Sequence, residues 1–183
     1  SGSIDVSAAG SDEVRNIERA EGSITDDALD SSLPNYNLTY TNSSDINTGE
    51  EFASGNVDVL SVEGSGAVAL SGNSARTINA ALAVASGATL NSNGNDVTVN
   101  PGTGTPATVN GSFAGDGALI VSGTVSGSGS ISNLESNGGT VDLRLSTDAS
   151  VGSLTNDGGT LQTDGGAFSS LDGALNPTGG NGP

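Results

Sequence analysis

Ser130-Ile131-Ser132-Asn133-Leu134-Glu135-Ser136-Asn137-Gly138-Gly139-Thr140-Val141 aligns without a gap to Ser150-Val151-Gly152-Ser153-Leu154-Thr155-Asn156-Asp157-Gly158-Gly159-Thr160-Leu161. The offset is 20 residues, and the apolar positions and the glycine pairs coincide. A further 20 residues on, Ser170-Leu171 repeats the start of the pattern. Short apolar alternations closed by glycine corners at a period near 20 are the mark of a stacked β-solenoid. One such turn cannot bury its own apolar face and needs neighbours above and below. The spacing predicts that Val141 stacks on Leu161 and Ile131 on Val151.

The same texture extends upstream. Val57–Val62, Ala67–Leu70, Val97–Val99, Leu119–Val121, Val141–Leu145 and Thr160–Thr163 are short strand-like runs. Gly, Asn, Asp and Ser separate them, as in Asn93-Gly94-Asn95-Asp96, and these residue types tolerate the left-handed backbone of tight corners. The expected fold is all-β: a short β-solenoid (β-helix) of about six rungs spaced about 4.8 Å apart. A β-sandwich of the same short strands is the alternative.

Composition agrees with a thin, repeated core. Val, Ile, Leu and Phe make up 39 of 183 residues, and only 5 aromatics are available to fill a thick one. Composition also shifts near residue 64. Residues 1–64 carry 13 acids and 2 arginines, and 23 of the 29 glycines lie beyond them. The chain therefore divides into an acidic, non-repeat N-terminal segment (1–64), a solenoid body (65–175) and a Gly-rich flexible tail (176–183). Ser11–Ala20 is the one helical candidate, with Ser11 as its cap, although two large apolar residues make a marginal helix. Tyr36-Asn37-Leu38-Thr39-Tyr40 alternates as a strand with one aromatic-aliphatic face.

The segments Ser86-Gly87-Ala88-Thr89-Leu90, Asn137-Gly138-Gly139-Thr140-Val141 and Asp157-Gly158-Gly159-Thr160-Leu161 resemble rungs of autotransporter passengers and haemagglutinin-type adhesins. The resemblance covers roughly residues 60–175 and is one of texture. It implies a secreted bacterial right-handed β-helix acting as an adhesin, passenger or matrix component. No β-barrel translocator accompanies it in this sequence.

Absences narrow the chemistry. Histidine, cysteine, methionine, tryptophan and lysine are all missing, and the net charge is −17. No imidazole or thiolate is available to bind zinc or serve a nucleophile, and so acidic a surface repels nucleic acid. No run approaches the length of a membrane span. The start at Ser1 without methionine reads as a processed, exported chain, with little in it to oxidise outside a cell. Carboxylates (Asp26-Asp27, Glu50-Glu51, Glu135 and Asp142) are the only catalytic candidates. With so few aromatics and arginines to hold a sugar, they read as solvated surface acids, and the protein as not an enzyme.

Asp96 and Asp157 lie in loops rich in oxygen ligands and are the calcium candidates; no other cofactor is expected, and neither loop has EF-hand or β-roll spacing. Asn37, Asn42 and Asn110 head glycosylation sequons. Ile4, Val6, Tyr36, Leu38 and Tyr40 form the candidate assembly strand, pairing with a second copy in a head-to-tail homo-oligomer. Folding back to cap its own chain is the alternative for that segment. The expected function is an exported structural subunit of an extracellular, cell-surface filament, sheath or biofilm matrix fibre. The alternative is an adhesion module or phage-fibre part with a glycan ligand, and third comes a carbohydrate-active enzyme.

Overall fold

A computed structural model describes residues 16–22, 35–52, 55–100, 107–137, 140–142, 150–157, 160–162, 170–171 and 175–178. The chain winds into an all-β solenoid of parallel strands, with a single turn of 3-10 helix, Glu50–Phe52, among those residues. The first strand is β1 (Asn16–Arg19), followed by β2 (Tyr36–Tyr40) and β3 (Ile46–Asn47). From there every rung presents three faces. One rung comprises β4 (Val57–Val62), β5 (Ala67–Ala69) and β6 (Arg76–Ile78); the next comprises β7 (Ala81–Val84), β8 (Thr89–Asn91) and β9 (Val97–Val99). Then come β10 (Ala107–Val109), β11 (Ser112–Ala114) and β12 (Leu119–Val121), followed by β13 (Thr124–Ser126) and β14 (Ser130–Asn137). The last rungs are β15 (Thr140–Asp142) with β16 (Ser150–Asp157), and β17 (Thr160–Gln162) with β18 (Ser170–Leu171) and β19 (Leu175–Thr178).

The first face is one eight-stranded parallel ladder, β1-β2-β4-β7-β10-β13-β15-β17. The second and third faces join into one sheet because β14 and β16 run unbroken across the corner between them. Ser130–Ile131 of β14 pair with β11, whereas Leu134–Ser136 pair with β12.

In-register stacking turns the alternation of each short strand into interior columns. Leu38, Leu60 and Leu82 form one such column, and Val68, Leu90, Phe113 and Ile131 another. All seven are buried. The 20-residue repeat is a physical stack: Ile131 pairs with Val151, Leu134 with Leu154 and Val141 with Leu161.

Corners are tight enough to require particular residues. Asn93 (φ 49°) and Gly94 (φ 81°) both take the left-handed conformation in the turn before β9, as the Asn-Gly pair suggests. At Gly117 a Cβ would collide with the backbone carbonyl of Asn95 in the rung below.

Three expectations are corrected. The helix over 11–20 is not formed in its described part, because Asn16–Arg19 is β1 and pairs in parallel with β2. A ladder that buries Ile17 outcompetes a helix of marginal propensity. Secondly, the change in composition at residue 64 is not the start of the solenoid, since β1, β2 and β4 already belong to the first face. Thirdly, Asn176, Pro177 and Thr178 of the expected tail continue the third face, in register with Thr155, Asn156 and Asp157.

Candidate functional site

Among the described residues the buried charged side chains, Arg19, Glu51 and Arg76, gather in the first rungs. On β1 the side chains of Asn16 and Glu18 face solvent, while Ile17 and Arg19 face inward. Arg19 sits in register with Tyr40 of β2, its guanidinium carbon 5.8 Å from the ring centroid, a cation–π geometry. The 3-10 turn after Gly49 occupies the stretch of its rung where later rungs place a third-face strand, and it turns Glu51 and Phe52 inward.

Glu51 Oε1 collects three donors: Arg19 Nη1, the Tyr40 hydroxyl at 2.9 Å and the Gly49 N–H at 2.9 Å. The Tyr36 hydroxyl donates to the Glu51 carbonyl at 2.6 Å, and Arg19 Nη2 donates to the Gly22 carbonyl. Arg19 is 4% exposed and Glu51 0%. Burial, and after it the Glu51 carboxylate, raises the Tyr40 phenol well above its ordinary value. Arg19 Nε and Glu51 Oε2 have no hydrogen-bond partner among the described residues. A buried pair of this kind holds because each charge neutralises the other. Both side chains are sealed from solvent.

A second inward arginine occupies the third face. Arg76 on β6 is 7% exposed and stands at the head of the interior column Val97, Leu119, Leu134. Its guanidinium donates to the carbonyls of Ser74 (2.8 Å) and Ser71 (2.7 Å). Among the described residues, the one ion pair is Arg19–Glu51.

The residues singled out in the sequence fall as follows. Tyr36, Leu38 and Tyr40 are buried in their own chain's interior. Their assignment to a contact with a second copy is therefore corrected: the apolar face is already covered by neighbouring rungs. Ile4 and Val6 lie outside the described residues. Glu51 is likewise no solvated surface acid. Alternation on β1 marks Ile17 and Arg19 as one face, but Glu51, 32 residues away, enters through a turn that no local pattern announces.

Asp96 is exposed, and its Oδ1 accepts the Ala118 N–H at 2.9 Å, tying one rung to the next. Asp45 does the same for Ala67. Asp157 ends β16 and pairs with Thr178 of β19, and β12 and β14 stand between β16 and β9, which Asp96 precedes. No cluster of three acidic, histidine or cysteine side chains occurs among the described residues. Asn42 is completely buried, its amide donating to the carbonyl of Ser44 at 2.8 Å. A glycan on that amide would have no room in this fold, which corrects that assignment. Asn37 is half-buried and bonds to Asn16, whereas Asn110 is exposed and accepts from the Ser128 N–H.

Among the described residues, no helix is long and apolar enough to cross a membrane. Comparison with known protein families, characterised proteins and solved structures finds no match.

Proposed function

We propose that the protein is an exported structural subunit that self-associates into an extracellular filament, sheath or matrix fibre. The observation that supports this reading is the outer surface, which repeats with the rungs. Thr89, Ser112, Ser130 and Ser150 form one outward column on the second face. Ser130 Oγ donates to Ser112 Oγ at 3.0 Å, and beyond it Ser153 Oγ donates to Asn133 Oδ1 at 2.7 Å. A rod bearing small polar groups at a fixed rise of about 4.8 Å offers neighbouring rods a regular face for lateral packing. With Tyr36, Leu38 and Tyr40 already buried, contacts between copies use these outer faces or the far end. The lack of thiols and thioethers suits an oxidising exterior.

At a net charge of −17, copies repel one another until salt or a divalent cation screens them. Negative-stain microscopy and sedimentation across a sodium chloride series, with calcium and chelator arms, test the reading. Fibres or large species that grow with ionic strength support it. Discrete particles under every condition overturn it and favour a monomeric glycan-binding module.

A further inference from the structure

The pair Asn-Gly occurs twice with both residues described, at Asn93-Gly94 and at Asn110-Gly111. Such a pair is chemically vulnerable, because a glycine with no Cβ leaves its nitrogen unshielded beside the asparagine side chain. As sequence the two pairs are equivalent, but the fold treats them differently. Asn93 and Gly94 are the central residues of a turn closed by the Asn95 N–H to the Ser92 carbonyl at 2.8 Å. Their φ values, 49° and 81°, are those of a type I′ turn. Both residues are exposed. No described residue accepts the Gly94 N–H, and nothing lies within 4 Å of where a Gly94 Cβ would stand. Among the described residues, one contact holds the peptide plane between them, from Asn95 Nδ2 to the Asn93 carbonyl at 3.4 Å.

Asn110-Gly111 is clamped between rungs. The N–H groups of Asn110 and Gly111 both donate to the Val84 carbonyl below, at 2.8 and 3.1 Å, and the Gly111 carbonyl accepts the Ser130 N–H above at 2.9 Å. A Cβ on Gly111 would collide with the carbonyls of Ala85 and Ala88. Asn110 Oδ1 is itself engaged by the Ser128 N–H at 3.2 Å.

We infer that Asn93 is a site of spontaneous covalent modification, in which the Gly94 nitrogen attacks the Asn93 side chain, and that Asn110 is protected from the same reaction. A solvent base takes the Gly94 amide proton, the nitrogen bonds to Asn93 Cγ, and the carboxamide C–N bond breaks. Ammonia leaves with a proton returned by solvent. Water then opens the cyclic imide at either of its carbonyls, leaving aspartate or isoaspartate at position 93. Attack needs the Asn93–Gly94 peptide plane to turn over, which converts the turn to type II′ with ψ of about −120° at its first central residue. That motion gives up the long contact from Asn95 and, as Cγ approaches, the bond from Asn93 Nδ2 to the Leu70 carbonyl. It is a local opening of a surface corner. At Asn110 the same motion breaks the bond from Gly111 to Val84, inside the layer between two rungs. Conversion at Asn93 removes the amide that ties this corner to Leu70 and sets a new carboxylate close to Asp96 in the chain. The inference does not rest on whether the protein assembles.

The test ages the full chain in warm, mildly alkaline buffer, one sample folded and one in guanidinium chloride, with circular dichroism following the fold of the first. Digestion and fragment-ion mass spectrometry then measure the conversion of each asparagine to the acid. In denaturant the two Asn-Gly pairs should convert at comparable rates. In the folded sample Asn93 should convert at least about tenfold faster than Asn110, because opening an exposed turn takes far less free energy than separating two rungs. Folded protein in which Asn110 keeps pace with Asn93 overturns the inference. So does folded protein whose Asn93 stays intact over the time in which the denatured chain converts.

Discussion

Among the described residues from Asn16 to Val62 the interior is chemically mixed: Tyr36, Tyr40 and Phe52 fill it, and an arginine–glutamate pair is sealed among them. From Ala81 to Ser136 it is mostly aliphatic, with Phe113 its one aromatic among the described residues. Both regions hang on the same parallel ladder. Middle rungs have a rung on either side, so a column of Leu and Val suffices. The first described rungs instead fill the core with large rings and a buried charge pair. The acidic, glycine-poor first third therefore contributes β1, β2 and β4 to the same ladder as the rest of the chain.

The sharpest way to break this comparison is to put a charge where the middle allows none. Leu119→Asp places a carboxylate in the column between Val97 and Leu134, with no cation beside it and Arg76 two rungs away. It should cost on the order of 5 kcal/mol and abolish the cooperative melt. A variant that melts like the parent would mean that the column is not closed. At the N-terminal end the same logic runs in reverse, because there the charge is already present and must stay paired. Glu51→Ala leaves Arg19 buried alone and should destabilise by about 3–4 kcal/mol, while removing both charges in R19M/E51Q should be nearly neutral. Chemical denaturation of the two variants measures the contrast. Equal losses would show that the end depends on those side chains for packing and not for charge.

Gly117→Ala probes the middle corners, where a Cβ meets the Asn95 carbonyl; a loss of about 1–3 kcal/mol is expected as the rungs are pushed apart. The smallest effect belongs to Tyr40→Phe, about 1 kcal/mol near neutral pH for one lost hydrogen bond. Its signature lies in alkali. The Tyr40 phenol is raised in the folded protein, so the native state keeps a proton that the unfolded chain releases above about pH 10. The corresponding stability is complete below that pH and declines as pH rises through the folded value. Melting curves from neutral to alkaline pH should fall more steeply for the parent than for the Tyr40→Phe protein, and parallel curves would refute the assignment.

The sequence made the architecture legible where rung length is constant. Ser130 to Leu161 could be aligned by eye because both faces advance there by 20 residues, as Asn133 and Ser153 do. Elsewhere the same stacking is hidden by unequal corners. Leu60 meets Leu82 after 22 residues, Ala83 meets Thr108 after 25, and Leu119 meets Leu134 after 15. A gapless comparison cannot follow such a ladder, although each three-residue strand keeps its alternation. Tyr36–Tyr40 was readable as a strand for that reason, while its neighbour in space was not. The Arg19–Glu51 pair was illegible for a different reason: its meaning depends on register and on a 3-10 turn, both set by tertiary packing.

Parallel stacking has a mechanical corollary. The hydrogen bonds of every face run along the solenoid axis, and the chain climbs that axis one rung at a time. Tension applied between the two ends of the described ladder therefore loads one terminal rung's bonds and then the next, as in opening a zipper, and never shears a whole sheet at once. The rungs should yield in a long series of small force steps, each releasing roughly one turn of chain. A rod built this way extends and absorbs work under load where a sandwich of the same strands would snap in a single event.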